Sequence, residues 1–269
     1  MQQIALFAIP EQSEGYASRA MDLGLKGCSA IVLGASHGMG LAIAEALRDE
    51  AANVAMFARR ADVVEREAAR IGALAVPGDL TVEADLQRLV ETTVESFGGL
   101  DVLVLNGGGP PAGAASDLDA SAVTAAVELL LLPHVRLVGL CLPQLRASGR
   151  GRIVAIESTS VKEPIANLAL SNAVRPGVVG WLKTLSRELG PDGITVNTIA
   201  PGRIDTERLR SLYGGDGPPP PALVDPIPAG RLGTPDEIAA VVCFLASTRA
   251  VYVSGTVVPV DGGLLNGLS

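Results

Sequence analysis

The sequence predicts an α/β fold: one domain built on a doubly wound, parallel, seven-stranded sheet with helices on both faces. Three observations carry that prediction. Short runs rich in Val, Ile, Leu and Ala alternate with longer helical patterns from residue 29 onward, and strands joined through helices pair in parallel by right-handed crossovers. The runs are almost continuously apolar, as strands covered on both faces are. The chain has 269 residues, 48% of them hydrophobic and only 3% aromatic. That is enough for one aliphatic core and too little for a second large domain.

In order, Ser29 to Gly34 reads as the first strand, Gly38 to Glu50 as a helix, and Asn53 to Arg59 as the second strand. The period then switches between strand and helix. A helix from about Ala61 leads to strand Leu74 to Val76, and a helix from Glu83 to Phe97 leads to strand Asp101 to Asn106. A long helical stretch from about Ser121 to Ala147 precedes strand Arg152 to Ile156, and a helix across about Leu170 to Leu189 precedes strand Thr195 to Ile199. Thr234-Pro235-Asp236-Glu237 is a capping box with proline in the first turn, so a helix opens there before the last strand, Val257 to Val260. Residues 213–230, with Gly214-Gly215-Asp216-Gly217 followed by Pro218 to Pro221, read as a mobile surface loop without helix or central strand. Residues 1–20 match nothing in the alternation and are expected to extend a domain spanning residues 21–269.

Composition excludes several classes of function. Lys and Arg number 21 against 29 Asp and Glu, a net charge of −8, which leaves no basic face for nucleic acid. Cys28, Cys141 and Cys243 are far apart, odd in number and lack a Cys-x-x-Cys pattern; this argues against a disulfide framework or zinc site and fits a reducing, cytoplasmic compartment. His37 and His134 are the only histidines, which excludes a multi-histidine metal centre. The most apolar stretch, Glu128 to Pro133, is ended by proline and histidine and falls short of the roughly 20 residues of a membrane helix, so no membrane partner is expected. The apolar patch Ile4 to Ile9 has no preceding Lys or Arg and makes a poor secretory signal.

Ligands of such sheets lie beyond the carboxyl ends of the strands, which singles out the residues after Leu33, Phe57, Leu105, Ile156 and Ile199. Gly34-Ala35-Ser36-His37-Gly38-Met39-Gly40 stands between the first strand and its helix. Glycines there let a pyrophosphate approach backbone N–H groups at the positive end of a helix. After the second strand, Ala58-Arg59-Arg60 offers guanidinium groups suited to the 2′-phosphate of NADP, where an acidic residue would suit the ribose hydroxyl of NAD. His37 adds a weaker contact. The same two arginines would also suit the solvated start of a surface helix.

The Gly-x-x-x-Gly-x-Gly spacing resembles the short-chain dehydrogenase/reductase family, and the resemblance runs over roughly residues 22–263. Further matches are Asp79, Asn106-Gly107-Gly108-Gly109, Ser158, Pro201-Gly202 with Thr206, and Val260-Asp261-Gly262-Gly263. The pattern is most similar to the branch that reduces β-ketoacyl groups on acyl carrier protein. It implies a Rossmann-type fold, a nicotinamide cofactor, a homotetramer, and hydride transfer to or from a carbonyl carbon. Gly34, Ser36, His37, Gly38, Met39, Gly40, Arg59, Arg60, Asp79, Leu80, Asn106, Gly107, Gly108, Pro201, Gly202, Ile204 and Thr206 are the positions expected to hold the cofactor, NADP(H).

At the catalytic positions the chain departs from the family pattern. Ser158 stands where the family's substrate-orienting serine does, but the Tyr and Lys positions carry Ser171 and Arg175, and the family's relay Asn falls in Leu129-Leu130-Leu131. A serine hydroxyl is a far weaker acid than a phenol, and arginine does not release its proton in a protein. The expected machinery is Ser158 as a donor to the substrate oxygen, Ser171 as second donor or relay, and Arg175 as a fixed charge for the ribose or a developing alkoxide. Substitute acids are Lys162, Tyr213 and His134, and Glu157 is a possible base that strand alternation turns away from Ser158. The sequence thus predicts an NADP-dependent oxidoreductase of a carbonyl or alcohol carbon, acting on a moderately apolar small molecule. The alternatives it leaves are a non-redox dehydratase, isomerase or lyase, and a silent NADP-binding subunit.

Overall fold

Runs of Val, Ile, Leu and Ala hide their surface from water by pairing side by side, and in the computed structural model seven of them do so. The structure describes residues 21–212, 215 and 217–268; the expectations for residues 1–20 and for Tyr213 lie outside these. The strands are β1 (Ser29–Leu33), β2 (Asn53–Ala58), β3 (Leu74–Pro77), β4 (Val102–Asn106), β5 (Arg152–Ile156), β6 (Thr195–Pro201) and β7 (Val257–Val260). Their order across the sheet is β3-β2-β1-β4-β5-β6-β7, and every pairing is parallel. The chain reverses its direction of travel across the sheet between β1 and β4, so a crevice opens beyond the carboxyl ends of these neighbours.

The helices are α1 (Gly38–Asp49), α2 (Ala61–Ile71), α3 (Glu83–Phe97), α4 (Ala120–Leu130), α5 (Leu132–Ser148), α6 (Ala169–Glu188), α7 (Glu207–Leu212), α8 (Pro221–Val224) and α9 (Pro235–Ala246). They form two layers over the sheet. Ile43 and Leu47 of α1 pack with Ile238 and Val242 of α9 against Val32, Val54, Val104 and Val154 on one face. Leu86 and Leu89 of α3, Leu137 and Cys141 of α5, and Val178 and Leu182 of α6 cover Ile31, Leu103 and Ile153 on the other. All three cysteines are buried and free. Thr234 caps α9 as its sequence requires, with Thr234 Oγ1 accepting from the Glu237 N–H and the Glu237 carboxylate from the Thr234 N–H.

Two expectations are corrected. The loop expected over residues 213–230 contains one helical turn, α8, because Pro221 occupies its first position where no N–H is needed. Arg203 Nη1 closes on its Ala222 and Leu223 carbonyls at 2.9 and 2.6 Å. The apolar stretch that proline was expected to cut short also runs on: α4 and α5 make a 29-residue helical stretch, Ala120–Ser148, long and apolar enough to cross a membrane by length and composition alone. Pro133 sits in the first turn of α5, so its missing N–H breaks no intrahelical bond. The stretch lies against the sheet through Leu137, Val138, Cys141 and Leu145.

At the opposite ends of the strands from the crevice, Asp101 joins three elements. Its carboxylate accepts from the Ser29 N–H at 2.8 Å, the Ser148 hydroxyl at 2.7 Å and the Arg150 guanidinium twice at 3.0 Å. Burial pushes its pKa up, but the Arg150, Ser148 and Ser29 hydrogen bonds outweigh that and hold it below the usual carboxylate range. A depressed folded pKa gives stabilisation present above the unfolded value of about 3.9 and lost as pH falls through the folded value. Asp101→Ala should therefore lower the unfolding free energy by about 2 kcal/mol at neutral pH, with the gap to the unaltered protein closing as pH drops below about 4. Urea titrations across pH check this, and equal stability at pH 7 contradicts it.

Candidate active site

The glycine turn after β1 is shaped by what cannot fit there. Gly34 and Gly38 have φ of +61° and +56°, a region that penalises a side chain. A Cβ on Gly40 would overlap the Gly34 carbonyl and the Asn106 amide. Asn106, buried at the end of β4, donates from Nδ2 to the Leu33 carbonyl at 3.1 Å and so ties the two strand ends that border the crevice. α1 opens directly after the turn with no side-chain cap at His37 and no acidic residue in its first turn. Its leading N–H groups thus meet neither a capping oxygen nor a negative charge, and a pyrophosphate fits such a cradle. Met39 is half-buried and packs against the core beneath the turn.

Beside the cradle, His37 Nδ1 lies 2.9 Å from Ser36 Oγ and 3.1 Å from Arg60 Nη2. A guanidinium only donates, so Nδ1 is the acceptor here. Arg59 and Arg60 are exposed at the end of β2. Asp79 Oδ1 accepts from the Thr81 N–H at 2.9 Å and the Thr81 hydroxyl at 2.8 Å, which starts the turn into α3; Leu80 is half-buried beside it. From β6, the Gly202 N–H donates to the Val260 carbonyl at 3.0 Å, and Ile204 is buried and bridged to Gly233. Thr206 Cγ2 lies 3.6 Å from the place a Gly38 Cβ would take. The loop after Pro201 therefore closes onto the glycine turn.

The hydroxyl groups gather at the end of β5. Ser158 Oγ accepts from the Ser160 N–H at 3.1 Å, capping the 3-10 turn Thr159–Val161. Ser160 Oγ meets Ser171 Oγ at 3.0 Å. Ser160 and Ser171 are buried, while Ser158 is half-exposed. Ser160 was not singled out in the sequence, because the 3-10 turn that brings it to α6 leaves no periodic signal.

Arg175 differs from expectation. Its guanidinium, expected to face a ribose or alkoxide, instead donates to Glu157 Oε2 at 2.8 Å and to the Gly108 carbonyl at 3.2 Å. A cation so buried needs a carboxylate, and Glu157, the residue after β5 that turns away from Ser158, supplies it with its side chain fully covered. Burial pushes the Glu157 pKa up while the Arg175 charge and hydrogen bond pull against it. Glu157 Oε1 has no hydrogen-bond partner among the described residues.

His134 is buried near the same corner, and neither ring nitrogen has a hydrogen-bond partner among the described residues. Burial first, and the Arg175 charge second, lower its pKa to about 4, so it is neutral at pH 7. Its Nε2 lies 3.6 Å from where a Gly107 Cβ would sit. Lys162 is exposed and lines a separate groove with Val179, Lys183, Thr198, Gly255 and Val257. Arg208, which sequence patterning did not mark, reaches from α7 over Gly109 and donates to the Pro110 carbonyl at 3.4 Å. Among the described residues no cluster of His, Cys, Asp and Glu is arranged to hold a metal.

The glycine turn after β1, the loop after β4 and the hydroxyls and ion pair after β5 thus stand beyond the carboxyl ends of three neighbouring strands. The family described as enoyl-(acyl carrier protein) reductase matches residues 34–265. The 3-oxoacyl-(acyl-carrier-protein) reductase of Vibrio cholerae serotype O1 is 34% identical over 248 residues, covering 90% of this chain and 99% of that one. L-sorbose reductase from Gluconobacter frateurii, solved with NADPH and L-sorbose, superposes with a TM-score of 0.85 at 32% identity, covering 92% of this chain and all of its own. A short-chain oxidoreductase from Pseudomonas aeruginosa, described as containing an atypical catalytic center, superposes with a TM-score of 0.85 at 26% identity over 91% of this chain and 99% of its own. The chain belongs to the short-chain dehydrogenase/reductase family of oxidoreductases.

Proposed function

We propose that the protein is an NADPH-dependent oxidoreductase of a carbonyl or alcohol carbon whose family Tyr and Lys are replaced by Ser171 and Arg175. The observation that carries this reading is that the uncapped start of α1, after β1, and the Ser158 hydroxyl, after β5, both lie beyond the carboxyl ends of strands that flank β4. The glycine turn, Asn106 and Thr206 would hold the cofactor, and the Arg60–His37 contact with Arg59 beside it would favour a 2′-phosphate. NADPH, present in the sorbose reductase relative, supplies a hydride when bound.

The chain's own residues orient the substrate and steady its oxygen. Ser158, half-exposed at the strand end, donates its hydroxyl to the substrate oxygen. Ser160 and Ser171, in contact behind it, rotate as neutral donors and acceptors for a proton that comes from water. Arg175 stays charged and, locked to Glu157, positions α6 against β5 without transferring a proton. Losing a general acid costs roughly 10²- to 10⁴-fold, which slows hydride transfer but leaves orientation to drive it. The Pseudomonas relative with an atypical center supports a working site of unusual composition. One observation favours a silent cofactor-binding subunit instead: the Arg175 guanidinium is already engaged by Glu157 and Gly108.

We also infer a homotetramer, as the family resemblance implies, in a cytoplasmic setting. Exposed Val123 and Val135 on α4 and α5, Phe244 on α9 and Tyr252 between α9 and β7 in sequence are apolar surface for subunit contacts.

Two measurements test the reading. NADPH should bind about tenfold or more tightly than NADH, a charge-assisted contact being worth roughly 1.5–3 kcal/mol, and Arg59→Ala or Arg60→Ala should remove most of that preference. Equal affinity of the unaltered protein for the two nucleotides contradicts it. In a carbonyl panel followed by NADPH absorbance, Ser158→Ala should cut turnover by roughly 10²-fold or more while leaving NADPH affinity unchanged. Turnover unaffected by Ser158→Ala removes Ser158 from the site, and no turnover by the unaltered protein across the panel favours the silent subunit.

A further inference from the structure

Arg208 is the second residue of α7. Its guanidinium lies so close over Gly109 that a Cβ there would overlap its terminal atoms, so glycine at that position is what admits it. Its only hydrogen bond among the described residues is the long one to the Pro110 carbonyl, 3.4 Å. Other arginines of this corner are matched: Arg175 by Glu157 at 2.8 Å, and Arg210 by Asp205 at 2.7 Å. Arg208 has no carboxylate within ion-pair distance among the described residues.

Loss of hydration, and then the Arg175 charge, pull the Arg208 pKa below the ordinary arginine value. The two guanidiniums thus feel each other, Glu157 pairs with Arg175, and neutral His134 does not change the balance. Arg208 is exposed at the mouth, so its guanidinium, held by one long hydrogen bond, is open to an anionic ligand in a chain of net charge −8. The placement separates two sources of that anion. Thr206 packs toward Gly38 and the glycine turn, whereas Arg208, two residues on, is laid over Gly109, after β4, within electrostatic reach of Arg175.

We propose that Arg208 determines specificity by recognising a carboxylate on the substrate, which is then a carbonyl compound or alcohol bearing an acid group on an otherwise apolar body. The guanidinium fork matches a carboxylate in two parallel hydrogen bonds, and the weak bond to Pro110 is readily exchanged for them. This inference rests on the reading of the crevice as an oxidoreductase site.

The probes are acetoacetate with methyl acetoacetate, and levulinate with methyl levulinate. Binding is measured by titration calorimetry on the free protein and on the protein saturated with NADP, and NADPH binding separately by fluorescence. At least one acid should bind about tenfold or more tightly than its ester. Arg208→Gln should erase the difference and Arg208→Lys should keep part of it, with NADPH affinity moving less than about twofold. Gly109→Ala, which crowds the guanidinium without removing it, should weaken the acid selectively. Acids that bind no tighter than their esters, including no binding by either, overturn the proposal, as does a preference that survives Arg208→Gln. A tenfold loss of NADPH affinity in Arg208→Gln with acid and ester affected alike also overturns it, placing the group on the cofactor diphosphate. Failure of the unaltered protein to bind NADPH counts against the oxidoreductase reading instead, and the acid–ester comparison on the free protein still reads out Arg208.

Discussion

The Glu157–Arg175 ion pair is the constraint around which the crevice is arranged. Glu157 follows the last residue of β5 and Arg175 lies in the second turn of α6, and both are almost wholly covered. Neither charge could stay buried alone, since an unpaired ion in this setting costs several kcal/mol. The pair therefore fixes the entry of α6 against the end of β5. The second hydrogen bond of Arg175, to Gly108, draws in the chain after β4. Three segments that would otherwise meet only through apolar packing acquire one geometry, and Ser158, the next residue after Glu157, inherits it.

Close packing around the pair has the same effect by other means. Leu130 and Ala126 of α4 bury against Leu170 and Val174 of α6, filling with hydrocarbon the helix position where the family resemblance places an asparagine. The corner is thus dry on one side and charged on the other. Hydroxyls in such surroundings interact more strongly than in water, which holds the Ser160–Ser171 contact in place.

Much of the fold was legible in the sequence because it depends on local rules. Strand limits were read to within a residue or two: Ser29 to Gly34 against β1 at Ser29–Leu33, and Arg152 to Ile156 at its observed limits. Thr234 to Glu237 capped α9 as written, and the glycine turn has the positive φ values its spacing requires. What stayed hidden was either short or distant. α7 and α8 span too few residues for a period to show, whereas the helical stretch read from about Ser121 to Ala147 runs across Pro133, which is harmless in a first helical turn. The Glu157–Arg175 pair joins residues 18 apart and the Arg175–Gly108 bond residues 67 apart. A buried glutamate beside a strand end was the one available signal, since such residues are rarely covered unless paired.

The most direct test is a double-mutant cycle on that pair, read as unfolding free energy in urea. Glu157→Gln or Arg175→Met alone leaves one charge buried without its partner and should cost about 3–5 kcal/mol. The double variant should cost less than either single one, which makes the coupling energy larger than about 3 kcal/mol. Single variants within about 0.5 kcal/mol of the unaltered protein, the range of ordinary surface substitutions, would show that the corner is held by packing alone and that the pair organises nothing.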